Sequence, residues 1–142
     1  MKIFLDTSSL IKLYHYEQGT DSLDRLFEDY SISRICLSEL AKVEFDSAIW
    51  KKVRTGELTH DEAESLIGSF EADYDKYFFV ELDSEIVNSS RNMISKFGAQ
   101  GLRTLDSIQL ASVLKVRTGL SYFLTADDLL RKLAEKEDLV VK

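Results

Sequence analysis

Residues 2–10 read Lys2-Ile3-Phe4-Leu5-Asp6-Thr7-Ser8-Ser9-Leu10, and this stretch decides the fold class. Lys2–Leu5 is a short, mostly apolar strand that ends at Asp6. Thr7-Ser8-Ser9 is a natural helix entry, after which Leu10, Ile11, Leu13 and Tyr14 fall at helical spacing. The same alternation continues outward. A helix is predicted over about Thr20–Asp29, a strand over Ile32–Leu37, and a long helix capped by Ser38 and running to about Lys52. Thr59-His60-Asp61-Glu62 has the capping-box pattern, with Ala63, Leu66, Ile67, Phe70 and Tyr74 on one face of a helix over 59–76. Tyr77–Leu82 reads as a strand, followed by a helix over Ser84–Lys96 with Gly98 at its C-terminal cap. A further helix runs from about Thr104 to Arg117, Tyr122–Leu124 is a strand, Thr125 caps the last helix, and Leu139–Val141 closes as a strand. Strands separated by helices, without hairpin signals, imply a mainly parallel sheet flanked by helices. Ligands in such folds bind outside the carboxyl ends of the strands.

With 142 residues and 16.2 kDa, the chain is expected to form a single domain over 1–142. A composition of 44% hydrophobic and 30% charged residues excludes a disordered chain. The single cysteine, Cys36, excludes an internal disulfide and a cysteine-only metal site. Apolar runs fall far short of the ~20 residues that span a bilayer, and an acid interrupts the start before a signal sequence develops. A soluble, cytoplasmic protein without a membrane partner is therefore expected. The net charge of −7 argues against non-specific nucleic-acid binding unless several acids surround a cation.

Four acids stand at the predicted carboxyl edge. Asp6 ends the first strand, Asp127 follows the Tyr122–Leu124 strand, Glu44 lies in the helix after the second strand, and Asp106 opens the helix entered at Thr104. Asp6, Asp106 and Asp127 each have an ordinary alternative as acids favoured at a helix N-terminus. Glu44 does not, because its helical neighbours are Leu40, Ala41, Ser47 and Ala48. If four carboxylates converged at ~5 Å, each pair would repel by roughly 3 kcal/mol at an effective dielectric of about 20. Six such pairs, on the order of 20 kcal/mol, exceed the ~5–15 kcal/mol that holds a domain together. A converged cluster must therefore be partly protonated or hold divalent cations. Oxygen ligands without convergent histidine or cysteine select Mg²⁺ or Mn²⁺.

The chain resembles the PIN-domain ribonucleases, most closely the VapC-like toxins of type II toxin–antitoxin pairs. The resemblance rests on Ile3-Phe4-Leu5-Asp6-Thr7-Ser8-Ser9-Leu10, on Ser38 followed by Glu44, on Leu105-Asp106-Ser107-Ile108-Gln109-Leu110-Ala111, and on Leu124-Thr125-Ala126-Asp127. It implies a three-layer α/β/α sandwich, Mg²⁺-dependent endonuclease action on RNA, a homodimer, and inhibition by a cognate antitoxin protein. It also places the catalytic, metal-binding acids on Asp6, Glu44, Asp106 and Asp127, with Asp128 an alternative to Asp127, and supporting hydroxyls on Ser8 and Thr125.

On this reading a cation held by Asp6 and Asp106 activates water for in-line attack on a phosphodiester, and Glu44 and Asp127 complete or orient the shell. Arg103, just before the Asp106 motif, is the candidate phosphate contact. Tyr14, Tyr16 and Trp50 are candidates for stacking on bases or a partner peptide, with core packing favoured for Trp50. A competing reading is a non-catalytic PIN-like module that binds a structural cation or serves as a scaffold for a partner or RNA.

Overall fold

The computed structural model describes the whole chain, Met1–Lys142. In chain order it contains β1 (Lys2–Leu5), α1 (Thr7–Ile11), α2 (Thr20–Asp29), β2 (Arg34–Ser38), α3 (Ala41–Arg54), α4 (His60–Ala72), β3 (Tyr77–Val80), α5 (Ser84–Phe97), α6 (Thr104–Lys115), β4 (Leu120–Leu124) and α7 (Asp128–Lys136). All strand pairings are parallel, in the spatial order β3-β2-β1-β4.

Strand period two distributes the core to both faces of the sheet. Ile3, Leu5, Leu37 and Leu124 point to one side, where Leu10, Leu23, Phe45 and Phe70 of α1–α4 cover them. Phe4, Cys36 and Phe123 point to the other, beneath Ile86, Leu110 and Leu130 of α5–α7. The result is the three-layer α/β/α sandwich.

Several local expectations are corrected. Ser38 is the last residue of β2, and Leu40, not Ser38, occupies the cap position of α3; the Ser38 hydroxyl instead accepts from the Leu40 N–H at 3.2 Å. Thr125 does not cap α7, because its hydroxyl is drawn to Asp6 and Asp127 takes the cap. Gly98 does take the C-cap of α5, as expected, but with right-handed backbone, and the left-handed glycine is Gly101 (φ 108°) after a 3₁₀ turn. Leu139–Val141 forms only a single bridge, Phe123 to Val141, along the outer edge of β4. No helix is long and apolar enough to cross a membrane.

The topology positions the site. From β1 the chain adds β2 and β3 on one side, then returns to place β4 on the other. The carboxyl ends of β1 and β4 are therefore neighbours at the point where strand order reverses, and the Asp6 N–H donates to the Leu124 carbonyl at 3.1 Å.

Candidate acidic site at the β1–β4 edge

Asp6 leaves β1 with extended backbone and caps α1. Its Oδ1 accepts from the Ser9 N–H at 2.9 Å and from the Ser8 hydroxyl at 2.7 Å, and its Oδ2 accepts from the Thr125 hydroxyl. The residue is 4% exposed. Burial pushes its pKa above the ordinary aspartate value, against the pull of these donors.

Ser8 and Thr125 also bind the β4–α7 loop. The Ser8 hydroxyl accepts from the Ala126 N–H and the Thr125 hydroxyl from the Asp127 N–H, each at 3.1 Å. Two loops distant in sequence are thus joined through one carboxylate.

Asp127 caps α7, with its Oδ1 accepting from the Leu130 N–H at 2.6 Å. Glu44 lies in the first turn of α3, where its Oε1 accepts from the Thr7 hydroxyl and from the Gln109 amide, both at 2.8 Å. Gln109 also donates to the Thr7 hydroxyl at 3.1 Å, and its own Oε1 is buried without a partner. Sequence reasoning assigned no role to Thr7 or Gln109. The available signal was a glutamine at position i+3 from Asp106, adjoining the apolar Leu110-Ala111.

Asp106, in the first turn of α6, is half-buried. Its pKa is raised first by burial and then by the charges of Asp127, Glu44 and Asp6, with Arg103 opposing. Four acids from four elements therefore share one electrostatic environment, and Asp127, not Asp128, is the one whose charge raises Asp106. None of the chain's ion pairs neutralises any of the four. Arg103 is exposed at the start of α6.

No three histidine, cysteine, aspartate or glutamate side chains stand close enough together to form a ready-made ligand group. Protein donors account for this in part, because they hold both Asp6 oxygens, Glu44 Oε1 and Asp127 Oδ1. Glu44 Oε2, Asp127 Oδ2 and both Asp106 oxygens carry no such bond.

Of the aromatic candidates, Tyr14 is committed to the first core. Its hydroxyl bonds Asp73 and Tyr77, and its ring packs on Phe45 and Phe70. Trp50 is half-buried beside His60, and Tyr16 is exposed with its hydroxyl on Asp21.

The family model described as "PIN domain" matches residues 3–136. The chain belongs to the PIN-domain family. No curated protein matches it in sequence. Among solved structures, this PIN chain is similar in fold to VapBC-1 from nontypeable Haemophilus influenzae, at a TM-score of 0.68 and 14% identity over 100% of this chain and 97% of that one. FitAcB from Neisseria gonorrhoeae gives 0.68 and 15%, covering 98% and 95%. The Mycobacterium tuberculosis sarcin–ricin loop cleaving toxin VapC20 gives 0.69 and 14%, covering 92% and 93%.

PIN domains generally use divalent metal ions. The donor set of the four acids fits such an ion in kind: oxygen ligands only, an excess of negative charge, and no histidine or cysteine among them. Asp106, raised first by burial and then by three neighbouring acids, is an acid whose charge a cation would favour.

Proposed function

We propose that this PIN protein is a divalent-cation-dependent endoribonuclease, using Mg²⁺ or Mn²⁺, and the toxin of a type II toxin–antitoxin pair. On this reading it works as one unit over 1–142, as a homodimer in the cytoplasm, restrained by a cognate antitoxin protein. The observation that carries the reading is the half-buried Asp106, which accepts no hydrogen bond, forms no ion pair and feels the charges of Asp127, Glu44 and Asp6.

Asp6, Asp106, Glu44 and Asp127 would hold the ion. When bound, the ion supplies an acidified water as nucleophile and positive charge for the departing oxyanion. The protein's contribution is orientation. Ser8, Thr125 and the Ser9 N–H hold the Asp6 carboxylate in one rotamer. Thr7 and Gln109 hold Glu44 Oε1, leaving Oε2 as its free oxygen. Arg103 meets a substrate phosphate at the exposed start of α6 and draws it toward Asp106. Desolvation of Asp6 strengthens its interaction with a cation relative to water.

The second reading, a non-catalytic module, draws on the side chains not converging into a ready ligand group. One assay decides between them. The purified protein should cleave single-stranded RNA with Mg²⁺ or Mn²⁺ and not with EDTA, and Asp106→Asn should abolish cleavage. Cleavage unaffected by EDTA or by that substitution overturns the enzyme at this site. Growth arrest on expression, relieved by the gene immediately upstream, tests the toxin assignment separately.

A further inference from the structure

A broad cleft lies beside the four acids rather than over them. It has a volume of about 750 Å³, runs between α2 and the carboxyl end of β4, and adjoins the acidic site through Thr125 and Ala126. That size is within the roughly 300–1,000 Å³ of ligand-binding clefts.

Its charge is opposite to that of the site. Four cations, Lys12, Arg25, Arg131 and Lys142, line it against two acids, Glu17 and Asp29. Glu17 pairs with Lys12 at 3.1 Å, and with Lys52 at 3.3 Å. The other three lining cations pair with no carboxylate side chain. Arg25 is exposed, Arg131 donates to the Thr125 carbonyl at 3.2 Å, and Lys142 Nζ sits 4.2 Å from the Tyr122 ring centre and 5.4 Å from that of Tyr30. Tyr30, 39% exposed, offers a ring on the same wall. Gly19 takes a left-handed φ of 95° on another wall, where a Cβ would meet Lys12 Cε at 2.8 Å. On a chain of net charge −7, this is a local concentration of unpaired positive charge.

We propose that this cleft binds single-stranded RNA flanking the scissile phosphate, with Arg25, Arg131 and Lys142 contacting backbone phosphates and Tyr30 stacking a base. The proposal rests on the nuclease reading and says how its substrate is held. Four carboxylates repel the phosphates beyond the one their cation and Arg103 engage, so a strand presented to them gains affinity next door, where cations replace its counterions. An exposed tyrosine among cations adds a base-stacking surface that tolerates any sequence. An acidic peptide would satisfy the cations but leave that ring unused, which favours RNA.

The test uses the full chain. Anisotropy of a fluorescein-labelled, mixed-sequence single-stranded RNA is measured on Asp106→Asn protein, and steady-state cleavage on protein with all four acids. In both backgrounds Arg25→Gln, Lys142→Gln and Tyr30→Ala are compared with Lys132→Gln, the same charge change on α7 outside the cleft. Each cleft variant should raise Kd and KM about tenfold while leaving kcat unchanged. The Arg25→Gln/Lys142→Gln pair should reduce the slope of log K against log salt by about 1–2. Lys132→Gln should change neither.

If the unmodified protein cleaves RNA and the cleft variants leave KM and Kd unchanged, the cleft proposal falls and the nuclease stands. If it binds RNA through the cleft but cleaves nothing, the nuclease reading falls and the cleft stands. Binding of a polyglutamate peptide with no measurable RNA binding overturns the proposal in favour of a protein-docking cleft. Arg25 is exposed and makes no ion pair, so its variant tests the cleft without threatening the fold.

Discussion

The four acids divide into two kinds. Asp6 and Asp127 each hold the first turn of a helix, and Asp6 joins two loops through Ser8 and Thr125. Asp106 accepts no hydrogen bond from the chain, while Glu44 is held through one oxygen by side chains from distant elements. The capping explanation and the site explanation of Asp6 and Asp127 are therefore both true, because one carboxylate oxygen serves the helix and the geometry of the strand end serves the pocket. For Asp106 the fold supplies burial and repulsion, opposed only by the exposed Arg103 and by no hydrogen bond or ion pair. Such an acid is costly unless something outside the chain uses it.

The contrast can be broken most directly by alanine at each kind of position. Asp6→Ala and Asp106→Ala should both lower RNA cleavage by roughly 10²–10³-fold or more, the scale of removing one preorganised electrostatic stabiliser. Their stabilities should move in opposite directions. Asp6→Ala leaves the Ser9 N–H and two hydroxyls without their acceptor and should cost about 2 kcal/mol, whereas Asp106→Ala should leave thermal stability in EDTA equal or higher. If both substitutions destabilise alike by calorimetry, the division is wrong.

Cation binding sharpens the comparison next. Mg²⁺ or Mn²⁺ at about 100 times its Kd should stabilise the unmodified protein by about 2.7 kcal/mol. Thermal melts of Asp106→Ala should show that gain lost. Asp127→Ala removes a cap worth about 1 kcal/mol, and Asp127→Ser should restore most of the stability but not the cleavage.

The smallest effect is in pH. Because the folded protein holds the Asp106 pKa above its unfolded value, the unfolded chain releases this proton first as pH rises. Stability contributed by the protonated group is complete below the unfolded value of about 3.9 and is lost as pH rises through the folded one. In EDTA, Asp106→Asn should therefore be more stable than the unmodified protein at neutral pH, and the two should converge below about pH 4. Denaturant melts across that range check the sign.

Legibility followed the range of each interaction. The capping box at Thr59–Glu62 and the one-residue transition from β1 into α1 are local and were read correctly from neighbouring residues. Thr125 fails as a cap because its hydroxyl goes to Asp6, 119 residues away. Ser38 fails because β2 extends through it, its hydroxyl accepting locally from the Leu40 N–H and from the distant Ser112 hydroxyl at 3.3 Å. Glu44 was recognisable as unusual from its helical neighbours. The Thr7–Gln109 pair that holds it was not, because 102 residues separate the two.

The amino-acid order by itself determined that strands alternate with helices, that the sheet would be parallel, and that carboxylates would stand at strand ends and helix starts. Periodicity and backbone capping act over a few residues and need no knowledge of the rest. Tertiary structure alone decided that β4 returns beside β1. That return brings the Thr125 hydroxyl onto Asp6 and places Arg25 and Lys142 along one cleft. These are contacts across most of the chain, and they form only because burying both faces of the sheet dictates which strands become neighbours.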